Sequence, residues 1–170
     1  MAGTGVWNIS EWFPSLVMSS RFLGAVPDSI SNPEIDWVPV DRLGDIITEF
    51  VGVAASEHGN SASSRVYNVV NPAKATWDTL LPALQAMGPL PIISAAEWVE
   101  RFEKSDNGPQ VIRENPAAKL VDFYKQTMLG GGTAPKVEIR NLLRASEVAA
   151  NLPPIGQEQL LRWMQGWGLR

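Results

Sequence analysis

The sequence predicts an α-rich α/β fold with about six or seven helices and one or two strands of a sheet. Apolar residues recur at helical spacing along most of the 170 residues. Runs rich in β-branched residues, which favour strands, are confined to about 36–41 and 66–70, with a shorter run at 90–93. The length is typical of one domain, so we expect residues 1–170 to form a single domain.

The predicted helices begin and end at residues that commonly cap helices. Ser10 is expected to start the first helix and Gly24 to end it. Asp41 is expected to cap a helix over about 42–55, and Ser94-Ala95-Ala96-Glu97 is a capping-box pattern that opens another. Further helices are predicted over about 76–84, 115–129, 146–152 and 157–167.

The run Val66-Tyr67-Asn68-Val69-Val70 is the best strand candidate. It is almost continuously apolar, as expected of a strand in a parallel sheet that is covered on both faces. Its partners are not evident, so we expect them to lie outside this sequence or in a small irregular sheet within it. An unpaired edge at 66–70 would favour self-association. The segment 36–41 contains Pro39, which restricts it to the edge of a sheet.

The composition excludes several classes of function. The chain has no cysteine and one histidine, so neither a disulfide framework nor a histidine- or cysteine-based metal site is expected. His58 lies in a loop-like sequence and is expected at the surface. The formal charge is −4, which argues against a nucleic-acid partner. Residues 46–55 are too short to span a bilayer, and the N-terminal residues lack the features of a signal, so we expect a cytoplasmic protein without a membrane partner.

The usual catalytic and nucleotide-binding motifs are missing from the sequence. Gly3-Thr4-Gly5 lacks a third glycine in register, so it is not a dinucleotide-binding loop. Gly130-Gly131-Gly132 follows a predicted helix and is expected to end it. Tyr124 has Met128 four residues later, so the Tyr-x-x-x-Lys pair is absent. We therefore predict no catalytic, cofactor-binding or metal-binding residue.

Pairs of carboxylates are expected to be structural. Asp36 and Asp41 flank one short segment, and Asp41 is better explained as a helix cap. Asp45 and Glu49 are four residues apart, a spacing that is typical of a solvated helix face. Neither pair predicts acid–base chemistry.

Three stretches, taken in order and spacing, resemble the C-terminal part of thioester reductase domains. They are Gly5-Val6-Trp7-Asn8-Ile9-Ser10-Glu11-Trp12-Phe13-Pro14, Ile35-Asp36-Trp37-Val38-Pro39-Val40-Asp41, and Val66-Tyr67-Asn68-Val69-Val70-Asn71-Pro72 followed by Trp77. Such domains end adenylate-forming reductases, enzymes resembling non-ribosomal peptide synthetases, and some polyketide synthases. They belong to the extended short-chain dehydrogenase/reductase class. The resemblance covers about residues 2–100.

The resemblance implies that this chain is the substrate-binding portion of an NAD(P)H-dependent thioester reductase. Such enzymes release a carrier-bound acyl or peptidyl thioester as an aldehyde or alcohol, with NADPH or NADH as the cofactor of the whole enzyme. The partners implied are the nucleotide-binding Rossmann half, which these residues lack, and a phosphopantetheinylated carrier protein. We expect the isolated chain to be inactive and to bind no dinucleotide tightly.

The resemblance also suggests where substrate would bind. Trp7, Asn8 and Trp12 directly follow the position at which the catalytic half would end, so we take them as candidate substrate-binding residues. The alternative is that the tryptophans are core residues. Trp163 and Trp167 match the closing helix of the family more loosely.

Two other functions remain open at this point. The chain could be a stand-alone helical module that binds an acyl group or a carrier protein without chemistry. It could also be a truncated relic without function.

Overall fold

The computed structural model describes residues 7–30, 34–56, 65–86, 88–105, 120–130 and 136–169. These residues are mostly helical and contain four two-residue strands, which confirms the predicted α-rich α/β fold. The helices are α1 Trp12–Leu23, α2 Val40–Ser56, α3 Trp77–Gln85, α4 Ala95–Lys104, α5 Val121–Tyr124, α6 Arg140–Ala145, α7 Glu147–Ala150 and α8 Gln157–Gly166. The strands are β1 Val26–Pro27, β2 Glu34–Ile35, β3 Ala75–Thr76 and β4 Ile92–Ile93. A π-helical turn, Lys125–Leu129, continues α5.

The described residues divide into two compact units. The smaller unit comprises residues 35–56, 65–75 and 136–155, and therefore contains α2, α6 and α7. The larger unit comprises the remaining described residues and contains α1, α3, α4, α5 and α8. Strands β2 and β3 pair with each other.

The core of the larger unit is aromatic. Trp98 of α4 is fully buried, stacks on Phe102 with ring centroids 5.3 Å apart, and meets Tyr124 edge-on at 5.6 Å. The Trp98 indole N–H donates to Ser20 Oγ at 3.1 Å and to the Ala25 carbonyl at 3.2 Å. The ring therefore fills the core while its one polar atom is satisfied by α1 and the turn that follows it.

The short parallel sheet of the larger unit joins β1 to β4. Val26 pairs with Ile92 and Pro27 with Ile93. Pro27 has no N–H to give to a ladder, and such residues are tolerated in a pair with few ladder bonds. The predicted strand at 90–93 is thus confirmed in its second half.

Helix ends follow the predicted chemistry at Gly24 and Ser94 but not at Ser10 or Asp41, since α2 begins at Val40 and Asp41 lies within its first turn instead of at its N-cap. Gly24 ends α1 at φ 67°, a left-handed conformation that favours glycine, and the Ser94 hydroxyl accepts from the Glu97 N–H at the start of α4. Helix α1, however, has Glu11 and not Ser10 at its N-cap. The Ser10 N–H instead donates to Asn8 Oδ1 at 3.0 Å, in a turn that precedes the helix.

The core of the smaller unit is modest. It consists of Ile46, Leu142, Ala149 and Leu152, with partly buried apolar side chains around it. All four come from α2, α6, α7 or the residue that follows the turn after α7. A core of this size depends strongly on each member.

Glu49 contradicts the prediction of a solvated carboxylate on α2. It is half-buried, and its carboxylate accepts hydrogen bonds from the Ser146 hydroxyl and the Val148 N–H. The Ser146 hydroxyl also accepts from the Ala149 N–H at 2.9 Å. The carboxylate thus supplies acceptors to free N–H and O–H groups at the start of α7, and it anchors that helix to α2.

The prediction of a strand at 66–70 is wrong: the structure describes these residues and assigns no strand to them. The Asn141 side-chain amide donates to the Val66 carbonyl at 3.1 Å. The Asn68 side-chain amide donates to the Glu138 carbonyl at 2.9 Å. Two asparagine side chains therefore join this segment to residues 138–141.

The apolar side chains of this segment pack on helices instead of on a sheet. Tyr67 stacks on Phe50 of α2 with ring centroids 4.2 Å apart, and Val69 packs against the core of the smaller unit. The apolar residues at 66–70 thus pack against α2. The sequence pattern did not distinguish packing on a helix from packing in a sheet. The self-association expected of an unpaired edge at 66–70 stays a prediction.

The strand predicted at about 36–41 is also wrong. Strand β2 ends at Ile35, and α2 already begins at Val40. Pro39 has no N–H for a ladder, and its carbonyl accepts from the Leu43 N–H at 2.9 Å to close the first turn of α2.

Asn71 connects this segment to the rest of the smaller unit. Its backbone N–H donates to the Asp36 carbonyl at 2.8 Å, and its side-chain amide donates to the carbonyls of Trp37 at 3.4 Å and Pro153 at 2.8 Å. Its Oδ1 accepts from the Ala73 N–H at 2.9 Å. Asn71 is fully buried, so these bonds form away from water.

We predict that Ile46→Ala lowers the free energy of unfolding by about 2–5 kcal/mol, because it opens a cavity in a core with few members. Ile47→Ala, at the adjacent and 50 % exposed position, should cost far less. Urea denaturation of both variants checks this. Equal losses would contradict the assigned core.

We predict that Asn71→Ala lowers the free energy of unfolding by about 1–3 kcal/mol, because buried carbonyls lose their donor. Asn68→Ala, which removes one exposed hydrogen bond, is the control and should cost less. Thermal and urea unfolding of the two variants, measured together, provide the comparison. A smaller loss for Asn71→Ala than for Asn68→Ala would contradict the role of the buried amide.

Candidate functional site

The seven tryptophans fall into two groups by exposure. Trp77 and Trp98 are buried, at 3 % and 0 % exposure, and belong to the core. The others are half-buried and each presents part of an indole ring at the surface: Trp7, Trp12, Trp37, Trp163 and Trp167. Half-buried aromatic rings are typical of binding surfaces as well as of core edges.

Four of the seven tryptophans contact Phe13 or one another in the larger unit. We name this group the tryptophan cluster: Trp7, Phe13, Trp77, Trp163 and Trp167. Phe13, in the first turn of α1, is fully buried. Trp7 stacks on it with ring centroids 5.4 Å apart, and Trp77 meets it edge-on at 6.3 Å. The indole rings of Trp7 and Trp77 therefore both pack against the buried Phe13 ring.

Helix α8 supplies the other side of the tryptophan cluster. Trp163 and Trp167 are four residues apart, a spacing that places them on one helix face. Trp163 meets Trp7 edge-on at 5.1 Å, and Trp167 meets Trp7 at 6.0 Å and Phe13 at 6.2 Å. Helix α8 itself packs on α3, which begins at Trp77.

Two indole N–H groups of the tryptophan cluster donate hydrogen bonds to neighbouring residues. The Trp7 indole N–H donates to Glu11 Oε2 at 2.8 Å, and the Trp77 indole N–H donates to the Pro27 carbonyl at 2.9 Å. The cluster is therefore an apolar aromatic surface beside one carboxylate. It suits contact with an acyl chain or an amide-containing arm and supplies no general acid or base.

Trp12, the second predicted tryptophan, reaches the same region from the other side of α1. Its ring meets Phe13 edge-on at 5.6 Å and lies 6.2 Å from Phe123. Trp7 and Trp12 thus both contact Phe13, so the structure brings the two predicted tryptophans together around one buried ring.

Asn8, the third predicted site residue, is exposed and part of a turn. Its side-chain Oδ1 accepts from the Ser10 N–H, and its carbonyl accepts from the Glu11 N–H at 3.0 Å. These bonds fix the turn that carries Trp7 into position before α1. Whether Trp7, Asn8 or Trp12 binds substrate stays a prediction.

Four residues of the tryptophan cluster were not identified from the sequence as site residues. Phe13, Trp163 and Trp167 surround Trp7, and Trp77 contacts Phe13. The four-residue spacing of Trp163 and Trp167 was the available signal for a shared face. Their proximity to Trp7 could not be read from sequence, because it depends on how α8 packs in the larger unit.

Tyr124 is a structural residue. It is buried, and its hydroxyl donates to the Trp12 carbonyl at 2.5 Å. Burial raises the pKa of the Tyr124 phenol well above its usual value, which keeps the group protonated at neutral pH. The neighbouring Lys125 pairs with Glu103, and that hydrogen bond raises the pKa of Lys125.

The described residues do not fit a dinucleotide cofactor. Such a cofactor is held by a glycine-rich turn between a strand and the N-terminus of a helix. In the described chain β2 leads to α2 through Asp36–Pro39, β3 leads directly into α3, and β4 leads to α4 through Ser94. None of these connections contains glycine, so none of them forms the turn that would hold a nicotinamide dinucleotide.

Among the described residues, no three His, Cys, Asp or Glu side chains lie close enough together to hold a metal ion. No described helix combines the length and apolar character needed to cross a membrane. His58 lies outside the described residues.

Comparison with known proteins relates the chain to large biosynthetic enzymes. It is 29% identical over 170 residues to the carboxylic acid reductase of Neurospora crassa and 28% identical over 181 residues to the adenylate-forming reductase Nps10 of Heterobasidion annosum. It is 27% identical over 171 residues to the non-reducing polyketide synthase pigA of Monascus ruber. No family model matches the chain.

Each of these similarities covers 96% of this chain. The chain spans 16% of the length of the two reductases and 6% of that of the polyketide synthase. The resemblance predicted from three sequence stretches is thereby confirmed.

We predict that Tyr124→Phe changes the alkaline stability of the larger unit. Since the folded pKa lies above the unfolded value of about 10, the protonated phenol contributes stability below that pH, and this contribution is lost as pH rises further. The variant should therefore show a shallower loss of stability above about pH 10. Urea unfolding as a function of pH measures it.

The parent protein provides the control. Tyrosinate absorbance, followed with pH in the parent and in Tyr124→Phe, shows whether the Tyr124 phenol ionises only on unfolding. An unchanged slope in Tyr124→Phe would contradict the assignment.

Proposed function

We propose that this chain is the C-terminal, substrate-binding portion of an NAD(P)H-dependent thioester reductase of the extended short-chain dehydrogenase/reductase class. The observation that carries this proposal is similarity to carboxylic acid and adenylate-forming reductases across 96% of the chain. The reaction class is reduction of an acyl thioester by hydride, which releases the thiol and yields an aldehyde. A second hydride would yield the alcohol.

The tryptophan cluster supports a binding role for this portion. Trp7, Trp163 and Trp167 present half-buried indole rings around one buried phenyl ring. Aromatic faces contribute apolar contact at small entropic cost, which suits an acyl group or the apolar part of a phosphopantetheine arm. In this proposal the cluster holds and orients the thioester.

The chemistry would come from the nucleotide-binding half of the enzyme. The described residues hold no fitting cofactor site, and Tyr124, committed to the Trp12 carbonyl, is not available as a proton donor. We therefore propose that the chain alone neither reduces thioesters nor binds NADPH or NADH tightly. The remaining partner is a phosphopantetheinylated carrier protein that presents the acyl group.

A chimera tests the proposal. The segment of the Neurospora crassa carboxylic acid reductase that matches this chain is replaced by residues 1–170, and NADPH consumption is measured together with aldehyde formation from an acid that the parent enzyme accepts. We expect activity within about tenfold of the parent, a change of about 1.4 kcal/mol in transition-state stabilisation. An inactive but folded chimera with normal adenylation would contradict the proposal.

Tryptophan variants of the chimera separate substrate binding from core packing. Trp7→Leu and Trp163→Leu should raise KM for the acyl group several-fold with little change in the unfolding temperature. Trp37→Phe, at a half-buried tryptophan of the smaller unit, is the control and should leave KM unchanged. A loss of stability with unchanged KM would instead assign Trp7 and Trp163 to the core.

The isolated chain distinguishes the alternative of a stand-alone binding module. If carrier protein loaded with an acyl-pantetheine binds the isolated chain while the chimera is inactive, the module is favoured. If neither activity nor binding is found, the chain is a relic.

A further inference from the structure

A carboxylate lies directly beside the tryptophan cluster. Glu11, the residue that precedes α1, accepts the Trp7 indole N–H through Oε2 at 2.8 Å. Trp7 in turn stacks on Phe13 and meets Trp163 edge-on. A group that packs on the Trp7 ring therefore lies within about the width of one indole of a negatively charged side chain.

The position of Glu11 is fixed by the turn that leads into α1. Its backbone N–H donates to the Asn8 carbonyl at 3.0 Å, and its own carbonyl accepts from the Ser15 N–H at 3.0 Å. The Ser15 hydroxyl donates to the Ile9 carbonyl at 3.0 Å, which ties the same turn to the first turn of α1. The backbone of Glu11 is thus held by this turn, and its carboxylate is held by the Trp7 indole.

The described residues of α1, α3 and α8 carry four other charged side chains, and these do not offset the charge of Glu11. Arg162 of α8 pairs with Glu158 at 3.4 Å, and α3 contributes Asp78, which has the same sign as Glu11. Arg21 lies ten residues from Glu11, about 15 Å along α1, and this separation exceeds the screening length of about 8 Å at physiological ionic strength. Beside Trp7, the charge contributed by these helices is therefore negative.

A negative charge beside an apolar surface discriminates between acyl groups by their charge. A neutral acyl group gains apolar contact with the indole rings and is not repelled. An acyl group with a second, free carboxylate must bring that charge close to Glu11 and lose part of its hydration, and both effects oppose binding. Because Glu11 is exposed, water and salt screen the repulsion and keep it moderate.

We propose that Glu11 is a specificity-determining residue that favours neutral acyl groups on the tryptophan cluster and disfavours acyl groups with a free carboxylate. This inference rests on the proposed function, since it takes the cluster as the place where the acyl group of the thioester lies. It gives the Glu11 carboxylate a role beyond its hydrogen bond to Trp7, because the charge itself selects among substrates at the reduction step.

Two thioesters of matched shape test the inference in the chimera. The 4-carbamoylbenzoyl and 4-carboxybenzoyl thioesters of pantetheine differ in charge but hardly in size, and their reduction requires no adenylation. We expect kcat/KM, measured from NADPH consumption, to be at least about tenfold higher for the carbamoyl compound, which corresponds to about 1.4 kcal/mol.

Glu11→Gln removes the charge and keeps an acceptor oxygen for the Trp7 indole N–H, so the ring should stay in position. The variant should lower the ratio of the two kcat/KM values at least about fivefold, through a gain with the carboxy compound and no change with the carbamoyl compound. Raising the ionic strength from about 0.05 M to about 0.5 M should narrow the ratio in the parent chimera but not in Glu11→Gln. A packing role of Glu11 would not produce this dependence on salt.

Glu100→Gln is the matched control, because Glu100 is an exposed carboxylate of the same unit on α4, a helix that contains no member of the cluster. It should leave the ratio as in the parent chimera. An unchanged ratio in Glu11→Gln, or an equal change in both variants, would overturn the inference.

The outcomes separate this inference from the proposed function. A chimera that reduces the carbamoyl compound, with the same ratio in Glu11→Gln as in the parent, would support the function and contradict the role of Glu11. If the chimera is inactive, binding of the two compounds to the 170-residue chain is measured by calorimetry. A preference for the carbamoyl compound that Glu11→Gln removes would then support the role of Glu11 and contradict the function, whereas equal binding of both compounds, or of neither, would overturn the role of Glu11.

Discussion

The smaller unit depends on a buried asparagine, since among its described residues only Ile35 and Ala75 belong to strands. Asn71 bonds three carbonyls and one N–H that would otherwise be left unpaired away from water. Its partners lie far apart in sequence, on residues 36–37 and on Pro153. One amide therefore joins three chain segments at a point where a strand would normally do so, and the modest apolar core can remain small because these segments are already held.

This arrangement explains why helices were predicted more reliably than strands. A helix satisfies its backbone within its own segment, so apolar spacing and caps such as Ser94 and Gly24 are sufficient signals. A strand requires a neighbouring strand for its hydrogen bonds, and the local sequence does not indicate whether such a neighbour exists. The segment 66–70 has strand-like composition, but it is held by the side-chain amides of Asn68 and Asn141, which donate to the carbonyls of Glu138 and Val66, and Tyr67 packs on Phe50. Tertiary contacts decided its conformation.

Other differences have the same local cause. Helix α6 has only six residues, too few for apolar periodicity to indicate it, and it was not predicted. Glu49 was expected in solvent, yet Ser146 and Val148 offer donors at the start of α7 and turn it inward. A sequence pattern places such a carboxylate on a helix face but cannot say which neighbouring helix begins beside that face.

The tryptophan cluster and helix α2 show how far sequence could reveal a surface. The cluster was partly visible, because Trp7 and Phe13 lie in a recognisable stretch, whereas the contacts of Trp7 with Trp163 and Trp167 depend on where α8 packs. On α2, Leu43, Ile46, Ile47 and Phe50 read as one apolar face. Only the structure divides that face, since Ile46 is buried and Ile47 is exposed.

That division limits what α2 adds to the core of the smaller unit. Helix α2 contributes Ile46 to that core and holds Ile47 and Val51 at 50 % and 63 % exposure. Because burial of apolar area is what stabilises a core, the aliphatic side chains outside it add little to the stability of the unit. The buried hydrogen bonds of Asn71 and the acceptor groups of Glu49 therefore carry a larger share of what holds its segments together.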